Sequence, residues 1–216
     1  MRALAINGSP RKKWNTATLL ESALEGCRAS GAKTEMVHLY SYTYQGCTSC
    51  FGCKKIGGKS YGRCAMRDKL SPILDRAVRA DVLLLGSPLY FHTETGEMRS
   101  FMERLLFPNL AYTPDRASLF PGKIPTALVY TMNATEEQMP TYHQDVSVAA
   151  SQGSMARVFG SCEVLLSTDT YQFKDYSKYV STAWDPEAKA RRRKDVFPQD
   201  CERAYELGAR LAQAAR

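Results

Sequence analysis

The sequence contains no apolar run that approaches the ~18 residues of a membrane-spanning helix. Its first residues, MRALAI, lack the long apolar core of a secretory signal. Internal repeats and low-complexity segments are also absent. These absences predict a cytoplasmic protein without a membrane partner. The 216 residues are enough to bury a sizeable core, and we expect one domain over residues 1–216.

Two common nucleotide-binding motifs are missing as well. There is no G-x-G-x-x-G dinucleotide fingerprint and no complete G-x-x-x-x-G-K-[ST] P-loop. Histidine is scarce, and the three histidines are too scattered to form a metal site. Positive charge is abundant, with a net charge of +7. That charge suits a nucleic acid, a phosphorylated ligand or an acidic partner, and by itself it selects none of them.

Predicted strands alternate with predicted helices along the whole chain. DVLLLGSP is the clearest strand, because it is continuously apolar, as a parallel strand covered on both faces should be. The predicted strands are residues 2–7, 33–40, 81–88, 124–132 and 162–171, and the predicted helices are residues 16–31, 70–80, 95–106, 141–160 and 195–216. This alternation predicts an α/β fold with a parallel sheet between two layers of helices.

Two segments fall outside this alternation. Residues 41–68 are too rich in Gly, Cys and Lys to carry a periodic core face, so we expect a Cys-rich inserted loop. The charge run AKARRRKD precedes the last helix and is predicted to be a solvated face.

The turn after the first strand carries the first functional signal. AINGSPRKKWNTATLL passes from a strand to a helix through a polar stretch, and helix N-termini present unpaired N–H groups to anions. Ser9, Asn15 and Thr16 add hydroxyl or amide groups, and Arg11 adds a charged fork. The turn therefore suits one terminal phosphate. The alternative is an ordinary loop in which Asn15 caps the helix.

NGSPRKKWNTATLL resembles the phosphate loop of the flavodoxin-like NAD(P)H-dependent FMN reductases, in which G-S-P-R and a short spacer precede N-T. Trp14 stands where that family usually has a small residue. The resemblance implies that Ser9, Arg11, Asn15 and Thr16 hold the FMN phosphate. It also implies a flavodoxin-like three-layer sandwich with five parallel strands in the order 2-1-3-4-5.

A second segment, GSPLYFHTETGEMRSFMERL, is similar to the family's S-P-x-Y motif and the helix after it. Glu103 replaces an Asp of the family pattern, and Arg99 stands where Lys is common. The likeness implies that residues following the third and fourth strands border the isoalloxazine ring: Ser87, Pro88, Leu89, Tyr90, Phe91, Thr131, Met132 and Asn133.

Four cysteines form the third signal. Cys47, Cys50, Cys53 and Cys64 have the spacing C-x2-C-x2-C-x10-C, which can turn several sulfurs toward one point. The iron–sulfur flavoproteins, a subset of the family, carry a compact cysteine motif in the same place for a [4Fe–4S] cluster, although the last gap here is longer. A [4Fe–4S] cluster, free or redox-active thiols and zinc all remain open as occupants.

The resemblance implies an FMN-dependent oxidoreductase that moves electrons from NAD(P)H through the flavin to an acceptor, in a homodimer or homotetramer. Because the cofactor carries the chemistry, no catalytic side chain is assigned. One alternative is an iron–sulfur flavoprotein that exchanges electrons between ferredoxin, a [4Fe–4S] cluster and FMN. An alternative of another class is a non-catalytic protein that binds a phosphorylated ligand or nucleic acid; we do not expect nucleic acid.

Overall fold

The computed structural model describes residues 1–216. Its elements are β1 (Arg2–Asn7), α1 (Asn15–Ala29), β2 (Lys33–His38), α2 (Ser71–Ala77), β3 (Val82–Tyr90), β4 (Thr93–Glu94), α3 (Gly96–Leu106), β5 (Thr126–Thr131), α4 (Gln144–Phe159), β6 (Glu163–Ser167), α5 (Pro186–Asp195) and α6 (Phe197–Ala214). None of these helices is both long enough and apolar enough to cross a bilayer.

Five parallel strands form the sheet in the order β2-β1-β3-β5-β6, which confirms the predicted fold class and the predicted order of the five strands. A sixth strand, β4, was not predicted. It has two residues and pairs antiparallel with the end of β3. Phe91 and His92 form the turn between them with φ angles of 47° and 74°. A strand this short carries no periodic signal in the sequence.

Apolar side chains cover both faces of the sheet because successive residues of a strand point to opposite sides. In β3, Leu83 and Leu85 join a core with α2, α3 and α4, whereas Val82 and Leu84 join a second core with α1 and α6. Both faces are therefore buried, which explains why β3 is apolar without interruption.

The helices α1 and α6 pack closely on the second face. A Cβ atom at Gly26 would lie 2.0 Å from the carbonyl oxygen of Tyr205, and one at Gly208 would lie 1.8 Å from that of Ala23. Only glycine fits at these two crossings. This contact holds the N-terminal helix, which begins beside the predicted phosphate turn.

The charge run before the last helix is only partly a solvated face, so that prediction is wrong in part: Arg191 and Lys194 are exposed, but other cations of the run are not. It forms α5, in which Lys189 is buried and its ammonium group pairs with Asp169. The guanidinium of Arg192 is mostly buried and lies 2.6 Å from the carboxylate of Asp200. The carboxylates that neutralise these two cations, Asp169 and Asp200, lie outside the charge run. The sequence of the run alone therefore does not reveal that part of it is buried.

The strand register brings four loops to one edge of the sheet. Asn7 at the end of β1 lies opposite Gly86 of β3, Pro88 lies opposite Thr131, and Thr131 lies opposite Ser167 at the end of β6. The loops after β1, β3, β5 and β6 therefore leave the sheet side by side. In open α/β sheets this carboxyl edge is where ligands bind.

Candidate functional site

A cavity of about 480 Å³ opens at the carboxyl edge, within the size range of small-molecule sites. Its walls come from the loops after β1, β3, β5 and β6. It brings together eleven of the twelve residues predicted to contact FMN: Ser9, Arg11, Asn15, Thr16, Pro88, Leu89, Tyr90, Phe91, Thr131, Met132 and Asn133.

Ser87 is the predicted residue that does not line the cavity. Its side chain is buried behind the wall, where Oγ donates a hydrogen bond to the carbonyl of Pro88 at 2.9 Å and accepts one from the backbone N–H of Thr95 at 3.1 Å. These bonds fix the hairpin of β3 and β4. Ser87 thus supports the hairpin wall of the cavity, but its side chain does not face the cavity.

The backbone of the loop after β1 is held by hydrogen bonds from nearby polar side chains. The N–H of Ser9 donates to Asn7 Oδ1 at 2.9 Å, and Ser9 Oγ accepts from the N–H of Arg11 at 3.2 Å. Thr95 Oγ1 donates to the carbonyl of Gly8 at 2.7 Å. No side chain caps α1 and no acidic residue lies in its first turn, so its first N–H groups and its positive dipole end remain available to an anion.

Asn15 does not cap α1, so the alternative role suggested for it is wrong. Its amide donates to the carbonyl of Tyr171 at 2.9 Å, and its oxygen accepts from Arg193 at 2.9 Å. Trp14 Nε1 donates to the same Tyr171 carbonyl at 3.2 Å. Asn15 therefore ties the phosphate turn to the segment after β6 and to α5, rather than pointing its amide freely at a ligand.

The side of the cavity formed by the β3–β4 hairpin presents aromatic groups. Phe91, at the tip of the hairpin, is 96% exposed, and Tyr90 is 45% exposed. The ring of His92 stacks on Tyr142, with centroids 5.3 Å apart and an interplanar angle of 15°. An exposed aromatic residue at a cavity mouth can cover a flat ligand, which is the shape of an isoalloxazine ring.

Two buried acceptors in the cavity wall have no hydrogen-bond partner within the protein. They are Oδ1 of Asn133 and Oε1 of Gln144, and Gln144 is only 6% exposed. Lys189 holds this wall in place, since its ammonium group donates to the carbonyl of Asn133 at 3.2 Å. Buried acceptors normally have a donor. Neither oxygen is accessible from the cavity, so both belong to the interior of the wall and not to its ligand-facing surface.

Sequence reasoning missed a large part of the lining. The additional residues are Trp14, His92, Ala134, Gln138, Tyr142, Gln144, Thr170, Tyr171, Gln172 and Trp184. Most of them lie in irregular segments after β5 and β6, for which no periodicity predicts a direction. The polar and aromatic composition of residues 168–184 was the only available signal.

A buried carboxylate supports the hairpin from behind. Glu94 accepts hydrogen bonds from the hydroxyl of Tyr130 and, at 2.8 Å, from Thr93 Oγ1, and Arg99 lies 3.4 Å away. Burial by itself opposes ionisation, but hydrogen bonds from Ser151, Tyr130 and Thr93 hold the pKa of Glu94 below its ordinary value. Glu94 is therefore a buried carboxylate that stabilises the β3–β4 hairpin, which forms one wall of the cavity.

The four clustered cysteines lie together in the loop between β2 and α2. Cys47, Cys50, Cys53 and Cys64 line one small hollow, and all four are free thiols. Cys53 is buried, and burial raises the pKa of its thiol. No three Cys, His, Asp or Glu side chains are close enough to share a single metal ion. The four residues nevertheless line the same hollow, so they lie in one region of the loop, as the cysteine ligands of an iron–sulfur cluster must.

Long charged side chains fix this loop. Arg104 is fully buried and donates to both oxygens of Asp68, at 2.5 and 2.9 Å, and to Cys64 Sγ at 3.4 Å. Hydrogen bonding to Arg104 lowers the pKa of Asp68. Glu103 accepts from the N–H of Cys47 at 3.0 Å. The Glu and Arg of the FMER motif thus hold the two ends of the cysteine cluster.

Lys54 is a further anchor of the cysteine loop. Its ammonium group donates to three carbonyls beyond the end of α3, those of Phe107, Pro108 and Leu110, and it lies 4.7 Å from the centroid of the Phe107 ring. Burial lowers the pKa of Lys54. The ammonium group of this half-buried lysine is therefore bound to the protein's own carbonyls and is not a free cation of a basic surface.

Comparison with protein families gives one assignment. The family model described as "NADPH-dependent FMN reductase" matches residues 1–169. A curated relative from Archaeoglobus fulgidus, named an iron-sulfur flavoprotein, is 36% identical over 104 residues, which are 48% of this chain and 48% of the relative. The matched stretch therefore spans about half the length of the curated relatives.

Two solved structures extend over nearly the whole chain. An NAD(P)H:quinone oxidoreductase from Methanothermobacter marburgensis has a TM-score of 0.69 and 16% identity, covering 98% of both chains. An FMN-dependent NADH-azoreductase from Bacillus anthracis, solved in complex with FMN, has a TM-score of 0.69 and 14% identity, covering 98% of this chain and 100% of that one. At such low identities these two structures share the fold.

Proposed function

The chain belongs to the NADPH-dependent FMN reductase family, and from that premise we propose that it binds FMN at the carboxyl edge of the sheet. We propose that it passes electrons from NAD(P)H to an acceptor such as a quinone. Bound FMN supplies the chemistry of accepting a hydride and releasing electrons. The protein contributes binding, orientation and exclusion of water.

The observation that carries this proposal is the pairing of an anion-binding end and an aromatic end in one cavity. At one end lies the uncapped N-terminus of α1, and at the other lie the exposed rings of Tyr90 and Phe91. The first suits a phosphate and the second suits a flat aromatic ring. FMN carries both groups on one molecule.

The proposed residue roles follow from position. Ser9, Arg11 and Thr16 hold the phosphate, and Asn15 keeps that turn in register with the segment after β6. Pro88, Leu89, Tyr90, Phe91, Thr131, Met132 and Asn133 border the ring. The aromatic groups at the mouth orient the ring and limit the access of water. No side chain is assigned as an acid or base.

FMN titration tests the phosphate assignment. Replacing Ser9→Ala together with Arg11→Ala removes a hydroxyl and a charged donor, so we expect FMN affinity to fall by about 100-fold or more. Lys12→Ala is the matched control, because Lys12 lies in the same turn but does not line this cavity. Flavin fluorescence quenching measures both affinities. Unchanged affinity in the double variant would contradict the assignment.

A second candidate function is that of an iron–sulfur flavoprotein. The placement of Cys47, Cys50, Cys53 and Cys64 around one hollow favours it, as does a relative of that name. In this form the four thiolates hold a [4Fe–4S] cluster, and ferredoxin replaces the nicotinamide as electron partner.

Two measurements separate these candidates. Iron and acid-labile sulfide analysis of protein purified without oxygen should give about four of each per chain if the cysteines hold the cluster. Stopped-flow mixing of the FMN-loaded protein with NADPH should bleach the flavin if the nicotinamide is the donor. The cytoplasmic location and the homo-oligomeric state stay predictions of the sequence.

A further inference from the structure

A second cavity, of about 510 Å³, lies beside the proposed FMN cavity and is formed largely by a segment that the family model does not cover. Its lining residues are Arg11, Lys13, Trp14, Gln172, Phe173, Lys174, Asp175, Lys178 and Tyr179. Arg11, Trp14 and Gln172 also line the first cavity, so the two are neighbours across the phosphate turn. The family match ends at residue 169, whereas six of these nine residues lie at 172–179.

The second cavity is strongly basic. Four cations and one carboxylate line it, which gives a net formal charge of +3. Asp175 pairs with Lys178 at 3.4 Å, so it neutralises one of the cations. Lys13 and Lys174 are exposed and have no carboxylate partner among the ion pairs of the structure. They are available to a phosphate.

The cavity also offers flat aromatic surface. Phe173 and Tyr179 are stacked, with ring centroids 4.1 Å apart and an interplanar angle of 15°, and Tyr179 is 54% exposed. Trp14 lies on the opposite lining segment, with the guanidinium of Arg11 at 5.6 Å from its ring centroid. Exposed aromatic faces beside cations are the arrangement on which nucleic acid bases stack.

Hydrogen bonds and ring contacts fix the segment 172–179. Arg11 donates to the carbonyl of Gln172 at 2.5 Å, and the N–H of Gln172 donates to the hydroxyl of Tyr176 at 3.0 Å. Tyr176 is buried, and Phe173 packs edge-on against its ring. A site with a fixed backbone avoids part of the ordering cost of binding.

We propose that this second cavity is an adenine-nucleotide subsite. Lys13 and Lys174 hold its phosphate, and the rings of Phe173 and Tyr179 support its base. The link to electron transfer rests on the proposed function, because the shared residues Arg11, Trp14 and Gln172 stand at the phosphate end of the proposed FMN position. Two molecules supply this chemistry: FAD, whose AMP half continues from the flavin phosphate, and NADPH, whose adenosine half carries an extra phosphate.

Calorimetric titration with 2′,5′-ADP and with 5′-AMP tests the subsite directly. Each probe is added to the FMN-free and to the FMN-loaded protein, so that the test does not depend on FMN binding. We expect both probes to bind the wild-type protein. In Lys13→Ala/Lys174→Ala we expect affinity to fall about tenfold or more, since two charge-assisted contacts are lost. Lys12→Ala is the matched control and should bind within about twofold of wild type.

The two sources are separated by comparing cofactors. If FAD binds more tightly than FMN and its binding excludes 2′,5′-ADP, the subsite takes the AMP half of FAD. If FAD gains nothing over FMN, and the double lysine variant raises the KM for NADPH more than that for NADH, it takes the adenosine half of NADPH.

Two outcomes would overturn the proposal. One is that neither adenine probe binds the wild-type protein, with or without FMN. The other is that Lys12→Ala weakens the probes as much as the double variant does, because the effect would then be general electrostatic attraction. Failure of FMN binding with retained adenine-nucleotide binding would count against the proposed function alone.

Discussion

The loop after β1 and the loop after β2 both leave the carboxyl edge of the sheet, yet they are fixed in different ways. The first is fixed mainly by short polar side chains and backbone groups, such as Asn7 with Ser9 and Thr95 with Gly8, and the long side chains of Arg11 and Arg193 add one hydrogen bond each. The second, which carries the cysteines, is fixed by the long charged side chains of Arg104, Glu103 and Lys54. Several separate hydrogen bonds hold the loop after β1, whereas a few residues with several contacts each hold the loop after β2.

This difference indicates how each region responds to change. When one hydrogen bond in the predicted phosphate turn is lost, the others remain. The backbone of the turn should therefore keep its shape, and the loss should lower mainly the affinity for the ligand. Loss of a buried cation under the cysteine loop leaves carboxylate and carbonyl groups without their partner, and such losses are costly. The cysteine loop should therefore be the more fragile of the two regions.

The largest expected effect comes from Arg104→Met. The guanidinium of Arg104 is buried against Asp68, which is 25% exposed, and its loss should lower the free energy of unfolding by about 3 kcal/mol. Urea unfolding measures this change. The buried thiol of Cys53 should also be labelled by a thiol reagent about tenfold faster or more, as the local structure opens more often.

Arg76→Met is the control for that prediction. Arg76 pairs with Glu35 on the surface, where both side chains are largely exposed, so its loss should cost less than about 1 kcal/mol. FMN affinity in Arg104→Met should stay within about twofold of wild type if the two loops are held independently. A large loss of FMN affinity would break the distinction between them.

An intermediate effect is expected for Glu94→Gln, which lies behind the cavity wall. The variant keeps the shape but removes the charge that Tyr130, Thr93 and Ser151 stabilise, and it should lower the free energy of unfolding by about 2 kcal/mol at pH 7. Glu187→Gln is the exposed control and should stay within about 0.5 kcal/mol of wild type.

The pH dependence of Glu94→Gln has a definite sign. Because the folded-state pKa of Glu94 lies below its unfolded value, the stabilising contribution is complete above the ordinary Glu pKa of about 4.3 and is lost as pH falls through the folded pKa. The stability difference between wild type and variant should therefore shrink in acid. A difference that stays constant from pH 7 into that range would show that the charge is not responsible.

The sequence predicted the parallel sheet because a continuous apolar run such as Val82–Leu85 is typical of a strand that is buried on both faces. The polar residues after β1 suggested an anion site, and the resemblance to the FMN reductases implied most of the lining residues at the ends of β3 and β5. What the sequence missed depends on contacts between distant segments. Lys189 is buried only because Asp169 lies beside it in space.

Asn15 shows the same limit at the level of one side chain. Its type and position are compatible with a helix cap as well as with the phosphate ligand that we predicted from the sequence. The partners that decide its role, the carbonyl of Tyr171 and the guanidinium of Arg193, are 156 and 178 residues away. The second cavity was missed for a related reason, because Lys13 and Lys174 belong to segments that no periodic pattern brings together.

The smallest effect on stability is expected for Phe91→Ala, and it separates ligand contact from folding. Phe91 is 96% exposed at the mouth of the cavity, so its loss should change the free energy of unfolding by less than about 0.5 kcal/mol. If its ring covers the flavin, FMN affinity should fall by about three- to tenfold, the value of one aromatic contact. Ile56→Ala is the matched control, since Ile56 is 94% exposed on the cysteine loop and should change neither quantity. Equal FMN affinity in wild type and Phe91→Ala would mean that this exposed ring serves some surface other than the flavin.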